Sequence, residues 1–181
     1  DVERVLKENK ETLDEDRKRT KEVIDRNKKK LEDLAREVRK VIEEIKKRLK
    51  ELLDKTGEES EEIRDVERRV RKLLREVEEA LRRVEELARR TSEEAKESLR
   101  RSEETVKRSI DEVRRKMSRE EAEELLRRVN KDNEKVVREN EKLLKEVLDD
   151  SERVIKELRD LLEEVRRRIE KVIRDLEERR R

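Results

Sequence analysis

The side chains that could do chemistry in this chain are carboxylates, hydroxyls and carboxamides, because the sequence contains no His and no Cys. Without an imidazole or a thiol, nucleophilic dyads and triads, zinc sites and haem ligation are essentially excluded. No Asp-rich loop ends with the Gly and distal Glu of a calcium-binding hand, and Gly57, the one glycine, cannot make a phosphate-binding loop. We therefore expect no catalytic residue, no metal and no cofactor, and we predict that the chain is not an enzyme.

A set of polar side chains is informative because it occupies positions that the helical pattern assigns to the core. A buried amide or hydroxyl without a partner costs on the order of 1–3 kcal/mol, whereas clustered groups can bond one another. A satisfied polar layer also penalises a shifted register. We interpret the set as structural hydrogen-bond layers that set register and partner choice, with a polar ligand pocket as the alternative. The set comprises Asn9, Asp16, Thr20, Asn27, Thr91, Ser92, Ser98, Ser102, Thr105, Ser109, Asn130, Asn133, Asn140 and Ser151.

Folding the chain at its two predicted turns brings these polar residues to matching levels. Asp16 is the one acid among them, and a structural role, accepting a hydrogen bond from Thr20 or Ser98, is favoured over catalysis. The helical segments around the first turn are predicted to be wholly aliphatic. The expected levels are Asn9 with Ser102, Thr105, Asn130 and Asn133, then Thr20 with Thr91, Ser92 and Asn140, and finally Asn27 with Ser151.

Apolar residues recur every 18 residues, which corresponds to five turns of an α-helix. Val136, Val154 and Val172 form one such column. A seven-residue repeat would impose a left-handed supercoil and an eleven-residue repeat a right-handed one. The 18-residue period requires neither, so it predicts straight helices.

Three helices are predicted, over about residues 2–54, 60–116 and 119–180. Gly57 lies between the first two helices and is expected to take the left-handed conformation that commonly follows a helix C-terminus. Ser118 begins a Ser-Arg-Glu-Glu sequence, which is a capping box and marks the start of the third helix.

These helices predict an all-α fold: a long, straight, antiparallel three-helix bundle with up-down-up order and coiled-coil-like packing. The whole chain, residues 1–181, is expected to form a single domain. Cap-like segments at residues 91–94 and 149–152 could interrupt the second and third helices. The apolar columns pass through both segments without a phase slip, which favours continuous helices.

Composition separates this chain from several other classes of protein. Charged residues make up 61% of the chain and hydrophobic ones 29%, but the net charge is only +2, and helical periodicity favours long helices over disorder. Acidic residues interrupt the basic runs, and no apolar run approaches the ~18 residues that span a bilayer. We expect no nucleic acid, no membrane and no small-molecule substrate. No targeting signal is visible, so localisation stays open, with recombinant cytoplasmic expression as the expectation.

Seven residue types are absent: Phe, Trp, Tyr, Cys, His, Pro and Gln. This restricted alphabet, the 18-residue period, the short capped turns and the Asn/Ser/Thr layers together resemble de novo designed helical bundles with buried hydrogen-bond networks. The resemblance covers the whole chain and concerns the style of design. It implies a structural scaffold that has no natural biochemical activity and needs no partner when it is self-contained.

A binding module is the alternative function. Apolar and small residues of the second and third helices spread over a wider arc than those of the first helix, as a partner-binding surface would require. The partner would be a fourth helix supplied in trans, as in a designed heterodimer, or a second copy of the chain. A large exposed apolar groove would favour this alternative, whereas scattered small residues would not.

Overall fold

Three long α-helices make up the computed structural model, which describes residues 2–180. They are α1 (Val2–Asp54), α2 (Ser60–Lys116) and α3 (Arg119–Arg180), and the described residues contain no strand. Both cap-like segments are helical throughout, so α2 and α3 continue across residues 91–94 and 149–152. The predicted all-α fold of three long helices is confirmed.

The described parts of the three helices group into two compact units. Unit 1 contains residues 2–29 and 90–150, and unit 2 contains residues 30–89 and 151–180. Each unit therefore takes one segment from every helix, and each can be described as a three-helix arrangement of its own.

Contacts in unit 1 give the directions of its helices. Asn9 is hydrogen bonded to Ser109, and Asp16, two turns further along α1, is hydrogen bonded to Ser102, so α2 runs antiparallel to α1. Asn9 bonds Asn133, and Asp16, later on α1, bonds Asn140, later on α3. The residue numbers increase in the same direction on both helices, so α1 and α3 are parallel. This is the predicted up-down-up order.

Ion pairs give the same directions in unit 2. Arg83 contacts Glu37, whereas Glu76, earlier on α2, pairs with Arg48, later on α1, at 3.5 Å. Between α2 and α3, Arg159 pairs with Glu85 at 2.7 Å. A second pair joins Arg71, earlier on α2, to Glu177, later on α3, so these two helices are antiparallel. Each of these pairs is exposed and contributes little to stability, but together they report the topology.

The interiors of the two units differ in how continuous their apolar packing is. Unit 2 has one large cluster of buried aliphatic side chains, which includes Val38, Ile45, Val70 and Leu158. The apolar interior of unit 1 is divided between two small clusters. One comprises Val5, Val113, Leu125 and Val129, and the other comprises Ile24, Ala95, Leu144 and Val147. Buried polar residues lie between the two clusters, together with the buried Leu13 and Val136.

The first turn ends α1 without the left-handed glycine that the sequence predicts. No described glycine has a positive φ, so Gly57 does not use the conformation that only glycine adopts freely. The last carbonyls of α1 are satisfied in another way. The Thr56 hydroxyl donates to the Leu52 carbonyl at 2.5 Å, and the Thr56 amide donates to the Leu53 carbonyl at 3.4 Å. These bonds replace the predicted glycine cap.

We expect Gly57→Ala to change the free energy of unfolding by less than about 0.5 kcal/mol. An added Cβ would contact the Glu62 carboxylate, but that group ends a flexible side chain and can rotate away. The loss of backbone freedom in the unfolded chain acts in the opposite direction. Urea unfolding followed by circular dichroism measures the change, and a loss above about 1 kcal/mol would indicate a left-handed glycine in solution.

Candidate functional site

The most complete polar cluster of unit 1 contains one residue from each helix. We call Asp16, Ser102 and Asn140 the Asp16 network. The Ser102 hydroxyl donates to Oδ2 of Asp16, and Nδ2 of Asn140 donates to the same oxygen at 3.0 Å. Nδ2 of Asn140 also donates to Oγ of Ser102 at 2.8 Å. All three side chains are buried, so each pair of helices is joined by a bond that is shielded from water.

The network concentrates its hydrogen bonds on one carboxylate oxygen. A carboxylate is an acceptor of charge-assisted hydrogen bonds, which are about twice as strong as neutral ones. Sliding one helix by a turn would remove its donor from Asp16 and leave a buried charge with fewer partners. The energetic loss would fall on all three helices, because each supplies one member of the network.

A second cluster, the Asn9 network, comprises Asn9, Ser109 and Asn133 and lies two turns from the first along α1. The Ser109 hydroxyl donates to Oδ1 of Asn9, and Nδ2 of Asn9 donates to Oδ1 of Asn133 at 3.4 Å. Nδ2 of Asn133 is buried and has no hydrogen-bond partner within the described residues. An unsatisfied buried donor costs about 1–3 kcal/mol, so this network stabilises the fold less than the Asp16 network does.

The pairing of α1 with α2 differs from the levels predicted by folding the chain at its turns. Ser102 is predicted beside Asn9, but Ser109 lies there. Ser98 is predicted beside Asp16, but Ser102 lies there. Helical side chains lean toward the N-terminus of their own helix, so partners on antiparallel helices are staggered in sequence. The prediction placed Cα atoms level and missed this stagger.

The pairing of α1 with α3 follows from a constant offset between two parallel helices. Asn133 lies beside Asn9, and the same offset places Asn140 beside Asp16, where the sequence predicts it beside Thr20. Asp16 therefore accepts hydrogen bonds from two other helices, and the predicted bonds from Thr20 and Ser98 are replaced.

The other predicted polar residues lie outside these two networks. Asn130 is exposed, which corrects its assignment to the core. It is three residues from Asn133, a step that turns the side chain by about 60° and carries it past the edge of the buried face. Ser92 and Thr105 are half-buried. In unit 1 the buried ones are Thr20, Asn27, Thr91 and Ser98, and in unit 2 the buried one is Ser151.

Unit 2 contains a buried charged residue, Glu67, that the sequence pattern did not predict. The prediction that the helical segments around the first turn are wholly aliphatic is therefore wrong at this position. Glu67 is buried on α2, and Nη2 of Arg71, one turn later, donates to it at 3.0 Å. Arg180 of α3 lies 3.6 Å from the other carboxylate oxygen. The signal available in the sequence was a Glu beside the apolar face with an Arg four residues on. That pattern also describes many exposed pairs in this chain.

A cavity of about 220 Å³ lies between α1 and α2 in unit 1 and borders both networks. Asn9, Asp16 and Ser109 contribute to its wall. Its remaining lining is Val5, Glu8, Thr12, Glu15, Arg19, Thr105, Arg108, Glu112, Val113 and Lys116. Buried polar side chains are thus reachable from a space that charged residues surround.

Glu8 and Lys116 join α1 to α2 beside this cavity. Nζ of Lys116 donates to Oε2 of Glu8 at 3.1 Å, and this bond holds the pKa of Glu8 below its ordinary value. Attraction by Lys116 and Arg4 adds to the shift. A lowered pKa in the folded state means that the pair stabilises unit 1 above the unfolded pKa and that this stabilisation is lost as the pH falls through the folded pKa.

We expect Lys116→Gln to raise the pKa of Glu8 toward its ordinary value, because the substitution removes the positive charge that favours the carboxylate. A titration of the Glu8 side-chain carbonyl followed by NMR measures this pKa in the two proteins. Arg166→Gln, on α3 of unit 2, is the control and should leave it unchanged. An unaltered Glu8 titration in Lys116→Gln would mean that the pair is not formed in solution.

Within residues 2–180, no group of three or more His, Cys, Asp or Glu side chains is arranged to hold a metal ion. None of the described helices combines the length and the apolar character needed to cross a membrane.

Comparisons with known proteins found a structural likeness but no family. No protein-family model and no curated protein matches the chain. Among solved structures, the chain is similar to one described as a computationally designed three helix bundle, with 21% identical residues. That alignment covers 99% of this chain and 91% of the other, with a TM-score of 0.47.

Proposed function

We propose that the chain is a de novo designed structural scaffold in which buried polar residues set helix register and pairing. The Asp16 network is the observation that carries this proposal. Its three members come from three helices, and each is hydrogen bonded to the other two. A purely aliphatic interior would tolerate a shift by one turn, because leucine and valine columns repeat along each helix. The network penalises that shift.

The restricted residue alphabet and the 18-residue period support the designed origin. Helix formers, aliphatic core residues and capping residues account for nearly the whole sequence, as a designer of helices would choose. The proposed function is therefore architectural, with no natural substrate.

Spin-label distances test the role of the Asp16 network. The chain has no Cys, so Glu11→Cys and Lys107→Cys introduce the only two labelling sites, on exposed positions of α1 and α2. We expect one narrow distance distribution in the parent protein. Combining Asp16→Leu, Ser102→Ala and Asn140→Leu should broaden it or add a second distance, because alternative registers become accessible.

The matched control carries Asn130→Leu, which alters an exposed carboxamide and should keep the single distance. A triple variant with the parent distribution would contradict the proposal. In that case the network would contribute to stability without selecting the register.

A self-contained bundle is favoured over a chain that awaits a fourth helix. In unit 1 the buried hydrogen bonds join α1 to α2, α1 to α3 and α2 to α3, so every pair of segments is already in contact. Light scattering on the isolated chain distinguishes the two. A monomer near 22.2 kDa supports the scaffold, whereas a dimer or concentration-dependent association supports the binding module.

A further inference from the structure

Asp16 is a buried carboxylate whose charge has no partner of opposite sign. Its exposed fraction is 6%, and no described basic residue forms an ion pair with it. Both of its hydrogen bonds end on Oδ2, where Ser102 and Asn140 donate. Burying a charge is costly unless it is paired, so this carboxylate favours any cation that can reach it.

The cavity between α1 and α2 provides the access. Asp16 lines it, and both hydrogen bonds of its carboxylate end on Oδ2, so Oδ1 is the oxygen that a guest could bond. The volume of about 220 Å³ is far above the roughly 10–15 Å³ that admits one water molecule. The site is therefore larger than a single bridging water requires.

We propose that this cavity binds a small planar organic cation of the amidinium or guanidinium class, with Asp16 as its anchor. Such a cation presents several N–H donors in one plane, and one of them can bond Oδ1 of Asp16 while Oδ2 keeps its bonds from Ser102 and Asn140. Thr105 and Ser109 line the same cavity, and hydroxyl oxygens can accept hydrogen bonds from a guest. An inorganic anion would meet Asp16 instead and is disfavoured.

The charges around the cavity agree with a cationic guest. Four carboxylates line it, from Glu8, Glu15, Asp16 and Glu112, against three basic side chains. One of these three, Lys116, is already held by Glu8 at 3.1 Å. The other two, Arg19 and Arg108, are exposed residues.

The larger groove between α1 and α3 in unit 1 offers a contrast. Its volume is about 410 Å³, and its lining includes the carboxylates of Asp14 and Asp132. Both are exposed, and Asp14 already lies 3.7 Å from Arg17, so they gain little from a further cation. The proposal is confined to the cavity that contains Asp16.

Benzamidinium is the probe, and its neutral isostere benzamide is the control ligand. The chain has no aromatic residue, so in deuterated water the ring protons of the probe are observed without aromatic protein signals. Saturation-transfer NMR should show saturable binding of benzamidinium and none of benzamide. Asp16→Asn should weaken binding by at least about tenfold, because the charge-assisted bonds are lost.

Two further variants separate binding from folding. Asp132→Asn, in the other groove, should bind benzamidinium as the parent does. Thr105→Leu fills the cavity from a half-buried position outside the Asp16 network and should abolish binding while circular dichroism stays helical. Equal binding by the parent and Asp16→Asn, or no saturable binding by the parent, would overturn the proposal.

Discussion

Replacing Asn140 with leucine should lower the free energy of unfolding by about 2–4 kcal/mol, whereas replacing the whole Asp16 network should leave it unchanged or raise it. Asn140 donates to both Asp16 and Ser102, so its loss removes two bonds and leaves a buried carboxylate under-satisfied. Hydrogen bonds to charged groups contribute about 1.5–3 kcal/mol each. Exchanging a complete buried polar group for apolar residues of similar shape is often neutral or stabilising by about 1–4 kcal/mol.

Urea unfolding monitored by far-ultraviolet circular dichroism measures both variants. The triple variant Asp16→Leu, Ser102→Ala and Asn140→Leu should unfold at or above the urea concentration of the parent. Asn130→Leu, at an exposed position, is the control and should stay within about 0.5 kcal/mol. Equal destabilisation by the single and triple substitutions would show that side-chain volume at these positions matters more than hydrogen bonding.

Leu162→Ala should cost about 3–5 kcal/mol, and Leu161→Ala less than about 1 kcal/mol. The two leucines are neighbours on α3 of unit 2, so the effects of helix propensity are matched. Leu162 is fully buried in the large aliphatic cluster, whereas 36% of Leu161 is exposed. Removing the buried side chain loses its transfer free energy and leaves a cavity, and the exposed one loses little of either.

The same urea experiment compares these variants, with the parent m-value as a check that unfolding remains two-state. Similar losses for the two leucines would indicate that α3 is rotated about its axis in solution. A large loss for Leu161→Ala alone would indicate that this face is covered by a partner or a second copy.

Helix content and order could be read from the sequence because local signals agreed. The Ser118 capping box and the position of Gly57 predict the helix boundaries. The columns of aliphatic residues predict which face of each helix points to the core. Helix periodicity places a side chain on a face of its own helix. It carries no information about the stagger against a neighbouring helix, and for that reason Ser109 was not predicted beside Asn9.

Three features depended on tertiary contacts that periodicity does not describe. The burial of Glu67 depends on Arg180, which is distant in sequence. The cavity beside Asp16 depends on the small side chains that face it across two helices. Thr56, whose hydroxyl bonds the Leu52 carbonyl, removes the need for a left-handed glycine at the end of α1.

The divided apolar interior of unit 1 has a consequence for amide hydrogen exchange. Local opening requires less free energy where few apolar contacts are broken, and small clusters such as that of Val5, Val113, Leu125 and Val129 hold only short helical segments. The large cluster of unit 2 must be disrupted as a whole. Each of the three helices should therefore carry two levels of protection, so that one continuous helix belongs to two cooperative folding units.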